Sequence, residues 1–421
     1  VVRPRVRRAG ARRIRESAGL IVSRHITLLA RFGVDRRAWA RERNGMTDIE
    51  RFEVNVSHAA LNDLAERLTR VRWTDPAPGD GYGVELAEVQ DLVRYWRDGY
   101  DWTAWEARLN GYPQFTTVID GQPIHFLHVR SPEHDALPLI LTHGWPGSVV
   151  EFLDIIDPLT NPAAHGGDPG DAFHLVIPSL PGFAFSGRAV DADWGTARTA
   201  KAWATLMARL GYDRYGAAGN DAGSLVSPEL ARIDADHVVG VHVAQIYSFP
   251  SGDPAEFEGM SAEDMAALQR LQWFMDTKFS FSQLHSQQPQ TLAHALADSP
   301  VGLLGWNVQL MEPGAMGDGD LDADFILTNV AIYWFTNTGG SSIRFYYEDA
   351  HTPRTDAKPS SVPVGVAGFA GDYPGIRRFA ERDGHNIVQW NVYDAPGGHY
   401  AAHLQPEVVT KDIRGFYRQL R

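Results

Sequence analysis

The stretch "YGAAGNDAGSLV", residues 215–226, decides how this chain is read. It sets an acid, Asp221, among small residues, between the strand-like "YGAAG" and the helix-like "SLVSPELARI". Small neighbours permit the sharp strand-to-helix turn that pushes a central side chain outward, the geometry of a nucleophile elbow. A carboxylate, with a reference pKa of about 3.9, is ionised at neutral pH. It can therefore attack carbon and form an ester with no base to activate it. Taken alone, Asp221 reads equally well as a cap on a helix beginning at Ser224.

Outward from this turn the chain alternates. "LPLILTHGWPGS" (137–148) and "FHLVIPSLPGFAFS" (173–186) are apolar strand runs that end in Gly/Pro-rich loops, and "TARTAKAWATLMARLG" (196–211) has helical spacing. "VVGVHVAQI" (238–246) is another apolar strand, and "QFTTVIDGQPIHFLHVR" (114–130) reads as a hairpin about Asp120-Gly121. Continuous apolar strands alternating with helices predict an α/β fold, a mostly parallel sheet covered on both faces. Residues 113–246 form its first part. Residues 247–360, rich in large aromatics, are expected to be a helical lid inserted into the sheet. Residues 361–421 resume it with "SVPVGVAGFAGD", "NIVQWNVYDAPGGHY" and a closing helix. Residues 46–112 read as a helical N-terminal segment, with Ser57 as an N-cap and Gly111 as a stop.

Residues 1–45 differ in texture. They hold 13 arginines against Glu16, Asp35 and Glu42, a formal +10, which leaves −23 on the rest of a chain whose net charge is −13. This tail is expected to be functionally idle, disordered or foreign to the native protein, since position 1 is Val and Met46 stands just before the organised sequence. The acidic body argues against nucleic-acid binding and favours a neutral or cationic ligand. The chain has no Cys, which excludes disulfides, zinc–thiolate sites and thiol catalysis and fits a reducing cytoplasm. No apolar run is long enough to span a bilayer, so no membrane anchor is expected. A homo-oligomer is compatible with the sequence.

Three further stretches carry chemistry. In "HGWPGS" (143–148) the glycines let backbone N–H groups turn inward, and Trp145 with Ala222 would supply two oxyanion-hole donors. His143 in this loop reads as structural. "APGGHY" places His399 in a glycine-rich loop after the last strand, at the carboxyl end where such sheets build their sites. Its job would be to deprotonate water while a carboxylate holds its other ring nitrogen. Asp372, ending "GFAGD", is the favoured carboxylate over Asp394. The order Asp221, Asp372, His399 is the nucleophile–acid–base order of this kind of sheet, and it turns the reading of Asp221 from cap to nucleophile.

With these motifs on the page, the chain from about residue 50 to 421 resembles the α/β-hydrolase epoxide hydrolases of the microsomal and juvenile-hormone type. The likeness is carried by "FEVNVSHAALNDLAERLTRVRW", "HGWPGS", "IPSLPGFAFS", "DSPVGLLGW", "RFYYE" and "GGHYAAHLQPE". It implies an α/β-hydrolase fold and conversion of an epoxide and water to a vicinal diol, with no metal or organic cofactor. Position by position, the family's nucleophile falls on Asp221, its base on His399 and its acid, often Glu, on Asp372. One proton-donating tyrosine falls on Tyr346, with Tyr347 as its neighbour and competitor. The second falls on Phe281, a departure that leaves Tyr346 alone or calls on Tyr247. Trp145, Phe281, Trp334 and Tyr347 are expected to line a pocket for a bulky apolar or aromatic epoxide. The alternatives are a haloalkane or haloacid dehalogenase using the same triad, and a binding module without catalysis.

Overall fold

The computed structural model describes residues 49–311, 321–352, 359–373 and 375–421. The arginine-rich tail lies outside the described residues. Residues from Ile49 onward form one compact unit.

Among the described residues, nine strands make one sheet: β1 (Glu50–Phe52), β2 (Gln114–Ile119), β3 (Gln122–Val129), β4 (Leu137–Thr142), β5 (Phe173–Pro178), β6 (Tyr215–Gly219), β7 (Val238–Val243), β8 (Pro363–Ala370) and β9 (Asn386–Pro396). Their order is β1-β2-β3-β5-β4-β6-β7-β8-β9. β1, β2 and β3 run antiparallel, β3 is antiparallel to β5, and every pairing from β5 to β9 is parallel. The hairpin turns where expected: Asp120 and Gly121 both have positive φ, 52° and 77°, as a tight two-residue turn between twisted strands requires. β4 has β5 on one side and β6 on the other, so the chain's progression reverses there. In open α/β sheets ligands bind outside the carboxyl ends of the strands at such a switch point. Both the "HGWPGS" loop, after β4, and Asp221, after β6, lie at it.

Helices α1 (His58–Thr69), α2 (Leu86–Asp98) and α3 (Trp102–Asn110) precede the hairpin. Ser57 caps α1 by accepting from the Ala60 N–H, and Asp101 caps α3. The N-terminal segment is not wholly helical, however. Its first described residues form β1, an edge strand on β2, and Phe52 packs its ring on His125 and Phe185. Three residues are too few for a sequence period to declare; the sheet edge imposes the strand.

α4 (Leu153–Thr160) follows β4, while α5 (Thr196–Arg209) and α6 (Ala222–Ile233) flank β6. α5 packs on α6, and its Trp203 N–H reaches Thr142 on β4 at 3.0 Å. α4 instead packs on the closing helix (Pro406–Arg418), which lays Tyr417 against β6 and β7. Each pair buries an apolar stripe on the sheet, whose central strands are covered on both faces.

Between β7 and β8 the described residues contain helices and no strand: α7 (Ala262–Thr277), α8 (Ser280–Gln287), α9 (Pro289–Asp298), α10 (Pro300–Val308), α11 (Ala323–Thr336), α12 (Gly339–Ser342) and α13 (Arg344–His351). α14 (Arg377–Arg382) joins β8 to β9, and α15 (Ala401–Leu404) and α16 (Pro406–Arg418) close the chain. The N-terminal helices brace the insertion. Tyr100 on α2's trailing loop bonds Thr328 on α11 at 2.9 Å, Tyr95 donates to Asp324 at 2.8 Å, and Arg67 donates to the Asp298 carbonyl at 2.8 Å.

Candidate active site

Asp221 occupies the turn between β6 and α6 with φ 52° and ψ −116°. Positive φ is costly for a residue with a Cβ, so the surroundings must enforce it. Two close approaches do. A Cβ at Gly223 would lie 1.9 Å from the Thr142 carbonyl oxygen, and one at Gly144 would lie 2.1 Å from Asp221 Oδ1. Only bare backbone lets the start of α6 press on β4 and the "HGWPGS" loop press on the carboxylate. α6 begins at Ala222, and the Asp221 carboxylate makes no capping bond to it. It points away from its helix. Oδ1 accepts the Trp145 N–H at 2.9 Å, and Oδ2 lies 3.8 Å from His399 Nε2.

His399 sits in a short turn (Gly398–Tyr400) after β9, and its side chain is buried. Its Nδ1 is 3.3 Å from Asp372 Oδ1. Burial alone would push this imidazole down, but the carboxylates of Asp372, Asp221 and Glu151 outweigh it and raise it to about 9. Asp372 follows β8 and is also buried, with Oδ1 accepting the Tyr373 N–H at 2.7 Å. Asp394 stands exposed within β9, outside this group. Asp221, His399 and Asp372 thus come together from the carboxyl ends of β6, β9 and β8.

Two side chains that sequence reasoning did not single out hold the three in register. Gln245, just past β7, accepts from the Asp221 N–H at 2.8 Å and from the Ser224 hydroxyl at 3.0 Å. Its amide N–H groups donate to Asn220 Oδ1 at 2.6 Å and to Asp372 Oδ2. Asn220 in turn donates to the His399 carbonyl at 2.7 Å. One glutamine therefore ties the elbow to the acid, and one asparagine ties it to the histidine loop. A polar residue ending an apolar strand, as Gln245 does in "VVGVHVAQI", was the available signal. His143 is structural: it is fully buried, its Nε2 accepts the Leu180 N–H at 3.2 Å, and its Nδ1 donates to the Gly144 carbonyl at 2.9 Å. Burial lowers it to about 4, so it stays neutral.

Aromatic rings roof the carboxylate. Phe281 on α8 stacks on Trp145, with centroids 5.6 Å apart and planes at 16°. Tyr346 on α13 meets Trp145 at 6.3 Å and Phe281 at 5.9 Å, edge to face in both cases. Burial, followed by the Asp221 charge, keeps its phenol well above the usual range and hence protonated. His285, one turn beyond Phe281, wedges between Trp145 (4.7 Å) and Tyr346 (4.9 Å), and burial lowers it to about 3. Tyr247 feels the same Asp221 charge, after a larger effect of burial, while its ring packs on Tyr373 at 5.1 Å.

Two expected pocket residues are not brought here. Tyr347 is 38% exposed with its ring stacked on His351 at 4.0 Å; one step along α13 turns it outward when Tyr346 points in. Trp334 on α11 lies under the Arg67 guanidinium at 5.3 Å, packing on α1, while its neighbour Tyr333 reaches inward to donate to the Gly147 carbonyl at 2.7 Å. Helix geometry, about 100° between successive residues, separates both pairs.

This combination of sheet and site defines an α/β hydrolase, and comparison with known proteins agrees. The family described as epoxide hydrolase N terminus matches residues 49–152, and that described as alpha/beta hydrolase fold matches residues 138–294. A Stigmatella aurantiaca protein provisionally named an epoxide hydrolase is 42% identical over 88% of this chain and 85% of its own length. Epoxide hydrolase 1 of Sus scrofa is 31% identical over 87% of this chain and 88% of its own. The solved Aspergillus niger epoxide hydrolase superposes with a TM-score of 0.79 at 31% identity, over 89% of this chain and 97% of that one. The chain belongs to the epoxide hydrolases, hydrolytic enzymes of the α/β-hydrolase fold. Among the described residues, no helix is long and apolar enough to cross a membrane.

Proposed function

We propose that this enzyme opens epoxides in two steps through a covalent ester on Asp221. Asp221 Oδ2 attacks one epoxide carbon as the carbon–oxygen bond breaks, and the Tyr346 phenol gives its proton to the departing ring oxygen. The product of this step is a 2-hydroxyalkyl ester. His399, oriented by Asp372, then takes a proton from water, whose oxygen adds to the ester carbonyl carbon. The N–H groups of Trp145 and Ala222 stabilise the charge that develops on Oδ1. Collapse expels the diol oxygen, which takes the proton from His399, and the proton left on Asp221 returns to Tyr346.

The observation that carries this reading is the Asp221 carboxylate at a positive φ, with one oxygen on the Trp145 N–H and the other facing His399. Asp221 Oδ1 already occupies the place where an oxyanion would form, so little reorganisation is needed. The stacked Trp145 and Phe281 with the edge of Tyr346 favour a bulky apolar or aromatic epoxide over a small polar one. Because Phe281 brings no hydroxyl, Tyr346 is the principal acid, and Tyr247, which also feels the Asp221 charge, is a candidate for a second.

Replacing His399 by Gln should leave the first step running and stop the second. Mass spectrometry after incubation with styrene oxide should find the epoxide's mass added to the peptide that contains Asp221. An adduct on a different peptide, or none with diol still released at the wild-type rate, contradicts the assignment.

A further inference from the structure

Glu151 has no role in the scheme above, and its surroundings do not explain it. It lies in a short turn (Val149–Phe152) directly after the "HGWPGS" loop and is 1% exposed, and by strict geometry neither carboxyl oxygen has a hydrogen-bond partner among the described residues. The Asn220 side-chain amide lies within reach of Glu151 and lowers its carboxyl slightly, while also donating to the His399 carbonyl at 2.7 Å. The Tyr400 hydroxyl beside it is also buried without a partner. Buried polar groups are costly to leave unpaired, so their coincidence points to a shared occupant.

The space for one is present. A cavity of about 40 Å³ is lined by Glu151, Asn220, His399 and Tyr400, with His242 and otherwise mostly apolar side chains such as Phe152 and Ala367 completing its walls. One water fills about 30 Å³ of liquid and needs two to four polar partners, which these four residues supply. Glu151 also packs against the loop whose Trp145 N–H meets the Asp221 carboxylate, since a Cβ on Gly147 would lie 2.6 Å from its Oε2. Asp372 already occupies His399 Nδ1, so Nε2 is the free ring nitrogen.

We infer that Glu151 is a positioning residue for the hydrolytic water, holding it between its own carboxyl and His399. One water hydrogen goes to Glu151 as a hydrogen bond. The other goes to His399 Nε2 as the transferred proton. The lone pair left over points to the ester carbon of Asp221, and Glu151 emerges unchanged. Burial pushes the Glu151 carboxyl well up, and the charge of His399 opposes that push.

The inference rests on the two-step reading and predicts a split between its halves. Quenched-flow experiments with styrene oxide, with mass spectrometry of the protein, would measure ester formation and ester breakdown separately. In Glu151→Leu, formation should stay near wild type while breakdown slows about 30-fold, as expected for a lost hydrogen bond to the reacting water, and ester should accumulate. Glu151→Gln keeps one acceptor oxygen and should slow breakdown about fivefold by the same logic. A merely structural role would slow both steps or neither, and either result in the glutamine variant overturns the inference even if the leucine variant does not fold. His399→Gln run in parallel separates the failures. If it traps ester on Asp221 and Glu151→Gln shows no selective slowing, only the inference falls. If it traps nothing, the two-step reading falls first.

Discussion

His399 stands among Asp372, Asp221 and Glu151, and this crowding links its proton affinity to the state of the nucleophile. With Asp221 ionised the imidazole is held up at about 9, protonated through neutral pH and unable to act as a base. Esterification of Asp221 removes one of those negative charges at a distance of 3.8 Å and should lower the imidazole. On the two-step reading the base would thus be released when it is needed. The sign of the pH dependence follows: the neutral imidazole grows as pH rises through its lowered value, so ester breakdown should speed by about tenfold per pH unit on its acid limb and then level. Steady-state ester, measured by acid quench, should be more abundant at pH 6 than at pH 8. Breakdown that is flat across this range, or faster in acid, contradicts the role given to His399. Asp221 and His399 were legible as residues because each sits in a local turn signature. Gln245 and Asn220 were not, because their importance comes from partners 21 to 179 positions away, and Glu151 was not, because the cavity it lines is assembled from distant stretches of chain.

At the scale of elements, the β6–Asp221–α6 turn depends on glycine more than on the acid. Gly223→Ala would drive a Cβ into the Thr142 carbonyl, backbone that cannot move without displacing β4. The expected cost is about 3 kcal/mol, read as a lower urea midpoint at an unchanged m-value. α13 is the matching element above the site. It packs on α8, and that contact decides which of two adjacent tyrosines points down. Sequence alone put Tyr346 first without separating it from Tyr347; the rotation came only from packing. Tyr346→Phe should slow ester formation by about 100-fold, within the range for a lost general acid, while Tyr347→Phe should change it little. Equal losses would contradict the assignment, and halide released from haloalkanes with no diol formed from epoxides would bring back the dehalogenase alternative.

For the whole molecule, the alternation of apolar strands and helices made the covered parallel sheet readable, because strands buried on both faces need continuous apolar runs. The carboxyl-end location of the site followed from the same pattern. Less legible was how the N-terminal segment is used. It contributes an edge strand at one end and, through Arg67, Tyr95 and Tyr100, props the helical insertion that carries Phe281 and Tyr346. Those contacts span more than 200 positions of chain and leave no local trace. The molecule therefore braces the roof of its site from outside and builds the floor from strand ends, and a direct attack by carboxylate on carbon is the chemistry this floor suits. A single turnover of excess enzyme in water enriched in oxygen-18 tests that attack directly. The first diol should carry only ordinary oxygen, with the heavy isotope recovered in the Asp221 peptide. Heavy isotope found in the diol, with none in the protein, would mean that water and not Asp221 opens the ring.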